Sequence, residues 1–399
     1  MTETMATTTT MTMPQAAVLV LRLQQWRSAS NKNKKKFDLG ALKEIVARAH
    51  GRVPPLAGFD STSLGEESSA GYFSETIRLH LRYYGAEDEE EKALAGLPGS
   101  LILKSQGAYN ETFEEMANKV GAFDNEHLFY HCLARALPRE CRDKYLCLCY
   151  HSTPRSILMS DLGPSHEVVN QEEGMDFDLA AAAMVAAADL HAPFWEKGPP
   201  EGVVRCSDQQ SWLCLIKEKS MSVFRRERAA GRSGFLGGDA EDIGEFIHSN
   251  ADAISFSLTQ APQTLAHCDY RAGNLMREKG GLGIKVLDWQ TFTYGPGLYD
   301  VANIVVCSMT VTECEKHCKR LLRLYQSRLS ELGIEYEWAR LWSDFRLCVL
   351  QHCFVINYAF ESVVDGSGEV VPDCPELFAR VWDRIVGAAR RYGCLEVKL

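Results

Sequence analysis

Two carboxylates and one carboxamide near the middle of the chain have the spacing that phosphoryl transfer needs. Residues 265–290 read LAHCDYRAGNLMREKGGLGIKVLDWQ, with Asp269 five residues before Asn274, and Asp288 at the end of a short apolar run. A carboxylate such as Asp269 can accept the proton of an attacking hydroxyl, and Asn274 and Asp288 can hold magnesium through oxygen atoms. Each residue taken singly would more often belong to a turn or a strand end. The combined spacing favours a magnesium-nucleotide site.

The order of residues in this segment is also that of a catalytic loop. The step of five residues from Asp269 to Asn274 equals the step in the protein-kinase motif H-R-D-x-x-x-x-N, and His267 precedes Asp269 by two residues, as in that motif. A protein kinase itself is disfavoured, because the sequence contains neither D-F-G nor A-P-E.

A cation for the nucleotide phosphates is available upstream. Lys104 ends the strand-like run LILK, where a lysine could reach the α- and β-phosphates, and Glu126 on the following helix could orient it. Glu114 and Glu115 lie earlier on the same helix and are alternatives to Glu126. A lysine at such a position is otherwise an exposed edge residue.

A loop that could cover the phosphates precedes this lysine. The stretch LGEESSAGYFS contains Gly65 and Gly71 and the paired serines Ser68 and Ser69, whose backbone N–H groups could face an anion. It does not match G-x-G-x-x-G, and an ordinary hairpin turn would use the same residue types.

Periodicity predicts the elements that position these residues. Apolar residues at helical spacing predict a first helix in DLGALKEIVARAH, and alternation predicts strands over 74–84 and 100–104. A long helix is expected over 111–136, followed by strands over 145–150 and 156–159. Further helices are expected over 177–191, 208–229, 240–253, 311–332, 335–364 and 375–392.

This order of elements predicts an α+β fold with two lobes. Residues 38–162 are expected to form a small N-terminal lobe with an antiparallel sheet and a packed helix, and residues 163–399 a larger, mainly helical lobe with the catalytic loop and an acceptor pocket. A ligand cleft is expected between the lobes. Residues 1–37 are expected to be a disordered N-terminal extension.

Composition limits the partners of the chain. The 399 residues carry a formal net charge of −10, which argues against broad binding to nucleic acid. The apolar stretch over 16–23 is too short to span a membrane, so no membrane span is expected. Fourteen cysteines without a C-x-x-C pair indicate reduced thiols and a cytoplasmic protein, with an organelle as the alternative if the Thr-rich N-terminus is a transit peptide. The oligomeric state is not indicated.

One cysteine and histidine cluster stays outside this interpretation. Cys314, His317 and Cys318 in CEKHC would share a helix face, but three candidate ligands without a partner pair favour ordinary helix packing over a metal site.

The motifs together carry a family resemblance. The segments HCDYRAGNLM, VLDWQ and GPGLYDVAN, with LILK, NEHLFY and ADLHAPFW, resemble the aminoglycoside phosphotransferase and choline kinase-like superfamily, closest to its ecdysteroid kinase-like branch. The resemblance extends from about Gly58 to about Met309. It implies a two-lobe protein-kinase-like fold and an enzyme that uses ATP and Mg²⁺ to phosphorylate a hydroxyl group of a small molecule.

The resemblance also implies roles for single residues. Asp269 would be the catalytic base, Asn274 and Asp288 the magnesium ligands, and Lys104 the phosphate-binding lysine with Glu126 as its partner. Further residues would hold the nucleotide or the loop: Gly65 and Gly71 at the phosphates, Ser160 and Asp161 at the hinge beside adenine, and Asp300 as a structural brace of the catalytic loop.

Departures from the family pattern bear on the acceptor. The usual H-G-D appears as His267-Cys268-Asp269, Gly273 replaces a larger polar residue, and Asp288-Trp289-Gln290 lacks the acid of D-F-E, which weakens a choline or ethanolamine assignment. A sterol-like or other alcohol, or an amino alcohol, stays open. Core packing is the alternative for the aromatic residues that could line an acceptor pocket: Phe194, Trp195, Trp212, Phe354, Tyr358 and Phe360. The alternative function is a catalytically silent nucleotide-binding pseudokinase or scaffold.

Overall fold

The computed structural model describes seven segments of the chain. They are residues 39–51, 55–64, 74–85, 96–107, 111–229, 240–363 and 375–399. The predicted N-terminal extension over 1–37 and the loop residues Gly65 and Gly71 lie outside this part of the chain. The described residues divide into two compact units, those within 39–107 and 148–161, and those within 111–147 and 162–399.

The first unit is a five-stranded antiparallel sheet with one helix. Its strands follow the order β1-β2-β3-β5-β4. The apolar residues of β2 alternate, so that Ile77, Leu79 and Leu81 are buried on one face. They form one core with the apolar face of the helix. The elements are α1 Leu39–His50, β1 Leu56–Ser63, β2 Ser74–Tyr83, β3 Ser100–Gln106, β4 Cys149–Thr153 and β5 Ser156–Ser160.

The second unit is mainly helical, with two small antiparallel sheets. One sheet pairs β7 with β10, and the other has the order β6-β8-β9. The strands are β6 His166–Val168, β7 Gln263–Ala266, β8 Leu275–Glu278, β9 Ile284–Val286 and β10 Thr293–Pro296. The helices are α2 Glu111–Val120, α3 Ala122–Leu128, α4 Arg139–Tyr145, α5 Phe177–His191, α6 Trp212–Ala229, α7 Glu241–Gln260, α8 Leu298–Ala302, α9 Val311–Glu331, α10 Trp338–Val363 and α11 Pro375–Arg391.

Helix α5 forms the centre of the second unit. Asp176 caps it by accepting a hydrogen bond from the N–H of Leu179, and its many alanines let α9 pack closely against it. In the described part of the chain it is the one helix long and apolar enough to cross a membrane, over Phe177–Phe194 with a mean hydropathy of 1.2. Because 56% of that window is buried inside the protein, its burial is that of a core helix.

The α+β class and the antiparallel N-terminal sheet are confirmed, but three predicted elements differ from the structure. The helix expected over 240–253 continues to Gln260. The expected helix over 111–136 is interrupted at Gly121, which adopts a left-handed φ of 68°. The chain resumes as α3, a π-helical turn at Phe129–Leu133 and a last helical turn at Ala134–Ala136, where the helix was expected to end. The strand expected over 145–150 begins only at Cys149, since a helix follows Pro138. Strand β1, not named in the sequence analysis, pairs with β2.

The domain boundary also differs from the expected one. Residues 108–147 were expected in the N-terminal lobe, whereas they belong to the second unit. Their contacts give the reason. The ring of Phe129 stacks on Trp289, and Nζ of Lys285 donates to the carbonyls of Asp143 and Leu146.

Gly297, in the GPG turn before α8, is required by close packing. A Cβ at this position would lie 2.9 Å from Nδ1 of His191, 2.9 Å from Oη of Tyr325 and 3.0 Å from Cγ2 of Thr264. Its φ of −60° is accessible to any residue, so the constraint is steric.

We therefore expect Gly297→Ala to lower the free energy of unfolding by about 1–3 kcal/mol, as overpacking does. The measurement is urea unfolding followed by circular dichroism. The matched control is Gly387→Ala in α11, where a Cβ meets nothing within 4 Å. That variant should gain up to about 1 kcal/mol, because alanine favours a helix over glycine. Equal stabilities for the two variants would contradict the steric argument.

Candidate active site

The structure brings Asp269 and Asn274 together, as their spacing predicts. Asp269 follows β7, and Asn274 ends a short 3-10 turn, Ala272–Asn274. Nδ2 of Asn274 donates to the Asp269 carbonyl at 2.8 Å and to Oδ2 of Asp269 at 2.7 Å. The carboxamide therefore fixes both the backbone and the side chain of Asp269.

Asp300 holds the backbone that leads into Asp269. Its carboxylate, in a residue that is 1% exposed, accepts hydrogen bonds from the N–H of His267 at 2.7 Å and of Cys268 at 2.8 Å. Nε2 of His191 is 3.1 Å from the same carboxylate. These contacts are those of the structural brace that the family resemblance implies.

Cys268 occupies a backbone conformation that favours glycine. Its φ is 65°, and its Sγ lies 3.3 Å from Oγ1 of Thr293 in a fully buried position. Burial, together with the nearby Asp300 carboxylate, raises the pKa of the Cys268 thiol well above its usual value. The thiol therefore stays protonated and is not a nucleophile, although it lies next to Asp269.

The ring of His267 contacts both the segment that carries Asp269 and the segment that carries Asp288. One ring nitrogen, Nε2, is 2.8 Å from the carbonyl of Leu287, and the other, Nδ1, is 3.2 Å from the N–H of Asp269. A carbonyl only accepts and a backbone N–H only donates, so the proton is on Nε2. The imidazole thus acts as a neutral link between the segments that carry Asp269 and Asp288.

The residue before Asp288 is hydrogen-bonded to Asn274. The N–H of Leu287 donates to the Asn274 carbonyl at 2.9 Å, which places the chain at Asp288 next to the catalytic loop. In the described part of the chain, no three side chains among His, Cys, Asp and Glu converge as a metal site. One carboxylate and one carboxamide nevertheless fit Mg²⁺, which usually takes one or two protein ligands and completes its shell with phosphates and water.

Sequence reasoning missed Arg271. Its Nε lies 3.1 Å from Oδ1 and 3.3 Å from Oδ2 of Asp269, and its Nη1 donates to Oε1 of Gln171 at 2.7 Å. A Cβ on Gly273 would lie 2.5 Å from that Nη1, so glycine at 273 makes room for the guanidinium. The available signal was the arginine two residues after Asp269 with a glycine two residues beyond it.

The predicted nucleotide residues are distributed over both units. Lys104, 8% exposed, lies on β3 of the first unit, and Glu126 is fully buried on α3 of the second. The carboxylate of Asp161 accepts hydrogen bonds from Nε of Arg78 at 2.7 Å and Oγ of Ser100 at 2.6 Å. That side chain therefore braces the first unit.

The hinge residue Ser160 has a backbone partner. Its Oγ accepts a hydrogen bond from the N–H of Leu148 at 3.1 Å. This contact joins two residues of the first unit and does not bear on a nucleotide. The role of Ser160 beside adenine therefore stays a prediction.

Two of the aromatic candidates for an acceptor pocket are core residues, and Trp195 and Trp212 are partly buried. Phe194 and Phe354 are buried, and Trp195 meets Tyr336 edge to face with ring centroids 5.6 Å apart. The side chains of Tyr358 and Phe360 lie outside the described part of the chain. Sγ of Cys314 is 3.2 Å from Oη of Tyr392, which is a helix-packing contact.

Comparison with known proteins matches the chain to phosphotransferases. Residues 68–194 match the model of the Ecdysteroid kinase-like family, and residues 221–342 match that of the Phosphotransferase enzyme family. No curated protein matches the sequence.

Solved structures share the fold. The chain is similar to the GDP and kanamycin complex of APH(2")-IIia, with a TM-score of 0.51, 10% identity and coverage of 83% of this chain and 93% of that one. It is also similar to choline kinase from Cryptosporidium parvum Iowa II, with a TM-score of 0.50, 9% identity and coverage of 84% and 89%. The expected protein-kinase-like fold is confirmed.

Replacing the brace should loosen the loop. We expect Asp300→Asn to place an NH₂ group against a backbone N–H and to lower the free energy of unfolding by about 3 kcal/mol. The amides of His267 and Cys268 should also exchange with deuterium faster, relative to those of α5, in native-state hydrogen exchange.

The control is Asp189→Asn. Its carboxylate bonds Oη of Tyr145 and Nε of Arg328, away from the loop, so this variant should lose stability without selective exchange at 267 and 268. Unchanged protection of those amides in Asp300→Asn would contradict the role of Asp300.

Proposed function

We propose that the chain, whose residues 68–194 and 221–342 match phosphotransferase family models, is a member of the aminoglycoside phosphotransferase and choline kinase-like superfamily and transfers the γ-phosphoryl group of ATP, with Mg²⁺, to a hydroxyl group of a small molecule. The observation that carries the proposal is the cluster formed by Asp269, Asn274 and Arg271, with the Asp288 segment bonded to Asn274. The two family matches support the phosphotransferase activity, and the residues of the site support ATP and Mg²⁺.

Asp269 is assigned as the general base. The acceptor hydroxyl must approach one of its carboxylate oxygens to about 2.6–3.2 Å, and proton transfer to that oxygen assists attack on phosphorus. Asn274 and Arg271 hold the carboxylate in place, so little reorientation is needed when the acceptor binds.

Asn274 and Asp288 are assigned as the magnesium ligands. Nδ2 of Asn274 is engaged with Asp269, which leaves Oδ1 as the atom of this side chain suited to a hard cation. When bound, the ion offsets the charge that develops on the phosphates. The remaining nucleotide contacts are assigned to Lys104, Glu126, Gly65, Gly71, Ser160 and Asp161.

The charge next to the base favours an uncharged acceptor. The guanidinium of Arg271 contacts both carboxylate oxygens of Asp269 and offsets its negative charge. A cationic group beside the reacting hydroxyl therefore gains no counter-ion there and meets a like charge. Within the range of sterol-like, other and amino alcohols, we propose an uncharged alcohol.

Magnesium should be required for tight nucleotide binding. We expect ATP with Mg²⁺ to raise the melting temperature. The free energy of unfolding should rise by about 2.7 kcal/mol when the nucleotide is at a hundred times its Kd, and Asp288→Asn should abolish this increase. Thermal melting with ATP or GTP, each with and without Mg²⁺, measures it.

The matched control is Asp269→Asn. The same substitution at the base should keep the magnesium-dependent shift but lower turnover on the order of a hundredfold to ten-thousandfold. The absence of any nucleotide shift in the wild type would favour a silent scaffold, and full turnover by Asp269→Asn would remove the base assignment.

Acceptor charge can be tested with two alcohols of matched shape. Choline and 3,3-dimethylbutan-1-ol differ in the charge at one atom, and we expect the neutral alcohol to have a kcat/KM on the order of tenfold higher. Arg271→Gln should reduce this preference. Arg277→Gln, whose side chain pairs with Glu167 on the neighbouring strand, is the control and should leave it unchanged. A wild-type preference for choline would reject the neutral-acceptor proposal.

A further inference from the structure

Asp288 has a backbone conformation that needs support. Its φ is 64°, and the other non-glycine residues with positive φ in the described part of the chain are Cys268 and Glu196. A residue with a side chain adopts this left-handed conformation rarely, and it persists where the surrounding structure fixes it. Two of these three residues flank the candidate site, so the contacts that fix Asp288 bear on the site itself.

The chain before Asp288 is held by the catalytic loop. The carbonyl of Leu287 accepts a hydrogen bond from Nε2 of His267 at 2.8 Å, and its N–H donates to the carbonyl of Asn274 at 2.9 Å. Both polar backbone groups of Leu287 are thus used, which fixes the direction in which the chain enters Asp288.

The chain after Asp288 is held by α3 and the π-helical turn that follows it. The ring of Trp289 stacks on Phe129 with centroids 3.7 Å apart and planes 5° apart. Nδ2 of Asn125 donates to the carbonyl of Gln290 at 3.0 Å and to that of Val120 at 3.1 Å. Phe129 is fully buried, so the stacked pair lies in the protein interior.

From these contacts we propose that Asn125 and Phe129 are positioning residues that hold Asp288 in its left-handed conformation and so preform the magnesium site. The proposal rests on the proposed function, because it assigns Asp288 as a ligand. The helix that carries Asn125 also carries Glu126, the proposed partner of the phosphate-binding lysine. One element thus fixes a metal ligand and carries a second residue of the nucleotide site.

The consequence concerns the metal more than the nucleotide. Without the stacking of Phe129 or the hydrogen bond of Asn125, Asp288 can relax toward negative φ, which turns its carboxylate to a different direction. Groups that orient a metal ligand typically affect metal affinity tenfold to a hundredfold when removed. Binding of ATP without magnesium involves no metal ligand and should change little.

The experiment is a magnesium titration at a fixed ATP concentration, followed by thermal melting. We expect Asn125→Ala and Phe129→Leu to raise the magnesium concentration at half-maximal stabilisation about tenfold or more. The shift that ATP causes without magnesium should stay as in the wild type. Asn125→Ala removes only a polar group, so it keeps the test available if Phe129→Leu folds poorly.

Two substitutions control for general loss of stability. Phe123→Leu removes a buried ring from the same helix, and Asn250→Ala removes an amide that bonds the Phe246 carbonyl within α7. Both should leave the magnesium midpoint within about twofold of the wild type. Equal shifts in controls and test variants, or no shift in the test variants, would overturn the positioning role.

This outcome is separable from failure of the proposed function. If the wild type shows no magnesium-dependent stabilisation, the assignment of Asp288 as a ligand fails. If the wild type shows it and Asp288→Asn loses it, while Asn125→Ala and Phe129→Leu keep the wild-type midpoint, only the positioning role fails.

Discussion

Two consecutive backbone N–H groups, those of His267 and Cys268, end on the carboxylate of Asp300, and the geometry of the candidate site follows from that pair of bonds. The carboxylate of Asp300, in a residue that is 1% exposed, has no access to water, so protein groups must donate the hydrogen bonds that water would otherwise supply. The two amides and the ring of His191 provide them. Since the amides can only donate, the chain passes this carboxylate in one orientation, and Asp269 follows directly.

The packing around Asp300 explains the GPG turn in the sequence. The ring of His191 is held by Oη of Tyr325 at 2.9 Å, and both groups lie where a side chain on residue 297 would be. Gly297 is therefore needed so that His191 can reach the carboxylate. The absence of a Cβ at Gly297 leaves room for His191, so the turn affects the site although it lies away from Asp269.

Elements with strong local signals could be predicted from the sequence. Helix α5 has the bounds that were expected, because its cap, Asp176, and its run of alanines act locally. The helix expected over 111–136 has the expected ends but is not continuous, because Gly121 leaves the helical conformation and periodicity does not record φ. Strand β1, LAGFDSTS, was not predicted, because most of its residues are not buried and its polar end has no alternating pattern.

In the candidate site, too, local contacts could be predicted and long-range contacts could not. Asp269 and Asn274 are five residues apart, so their spacing indicated one site, and Nδ2 of Asn274 donates to Oδ2 of Asp269. Arg271 depends on Gln171, a hundred residues away in sequence, and Trp289 depends on Phe129, which is farther away still. Contacts of that kind leave no local pattern, so the sequence indicated the candidate reacting groups and not the groups that orient them.

Backbone strain at Cys268 and Asp288 is concentrated beside these reacting groups. Glycine at either position would relieve the strain, yet glycine would also give the unfolded and locally open chain more conformations. At Cys268 the hydrogen bond to Asp300 offsets the strain, and at Asp288 the bonds of Leu287 and the stacking of Trp289 do so. A residue with a side chain held in this way has fewer alternatives than glycine would have. The strained positions therefore make the loop and the Asp288 segment more rigid, which is what a preorganised phosphoryl-transfer site requires.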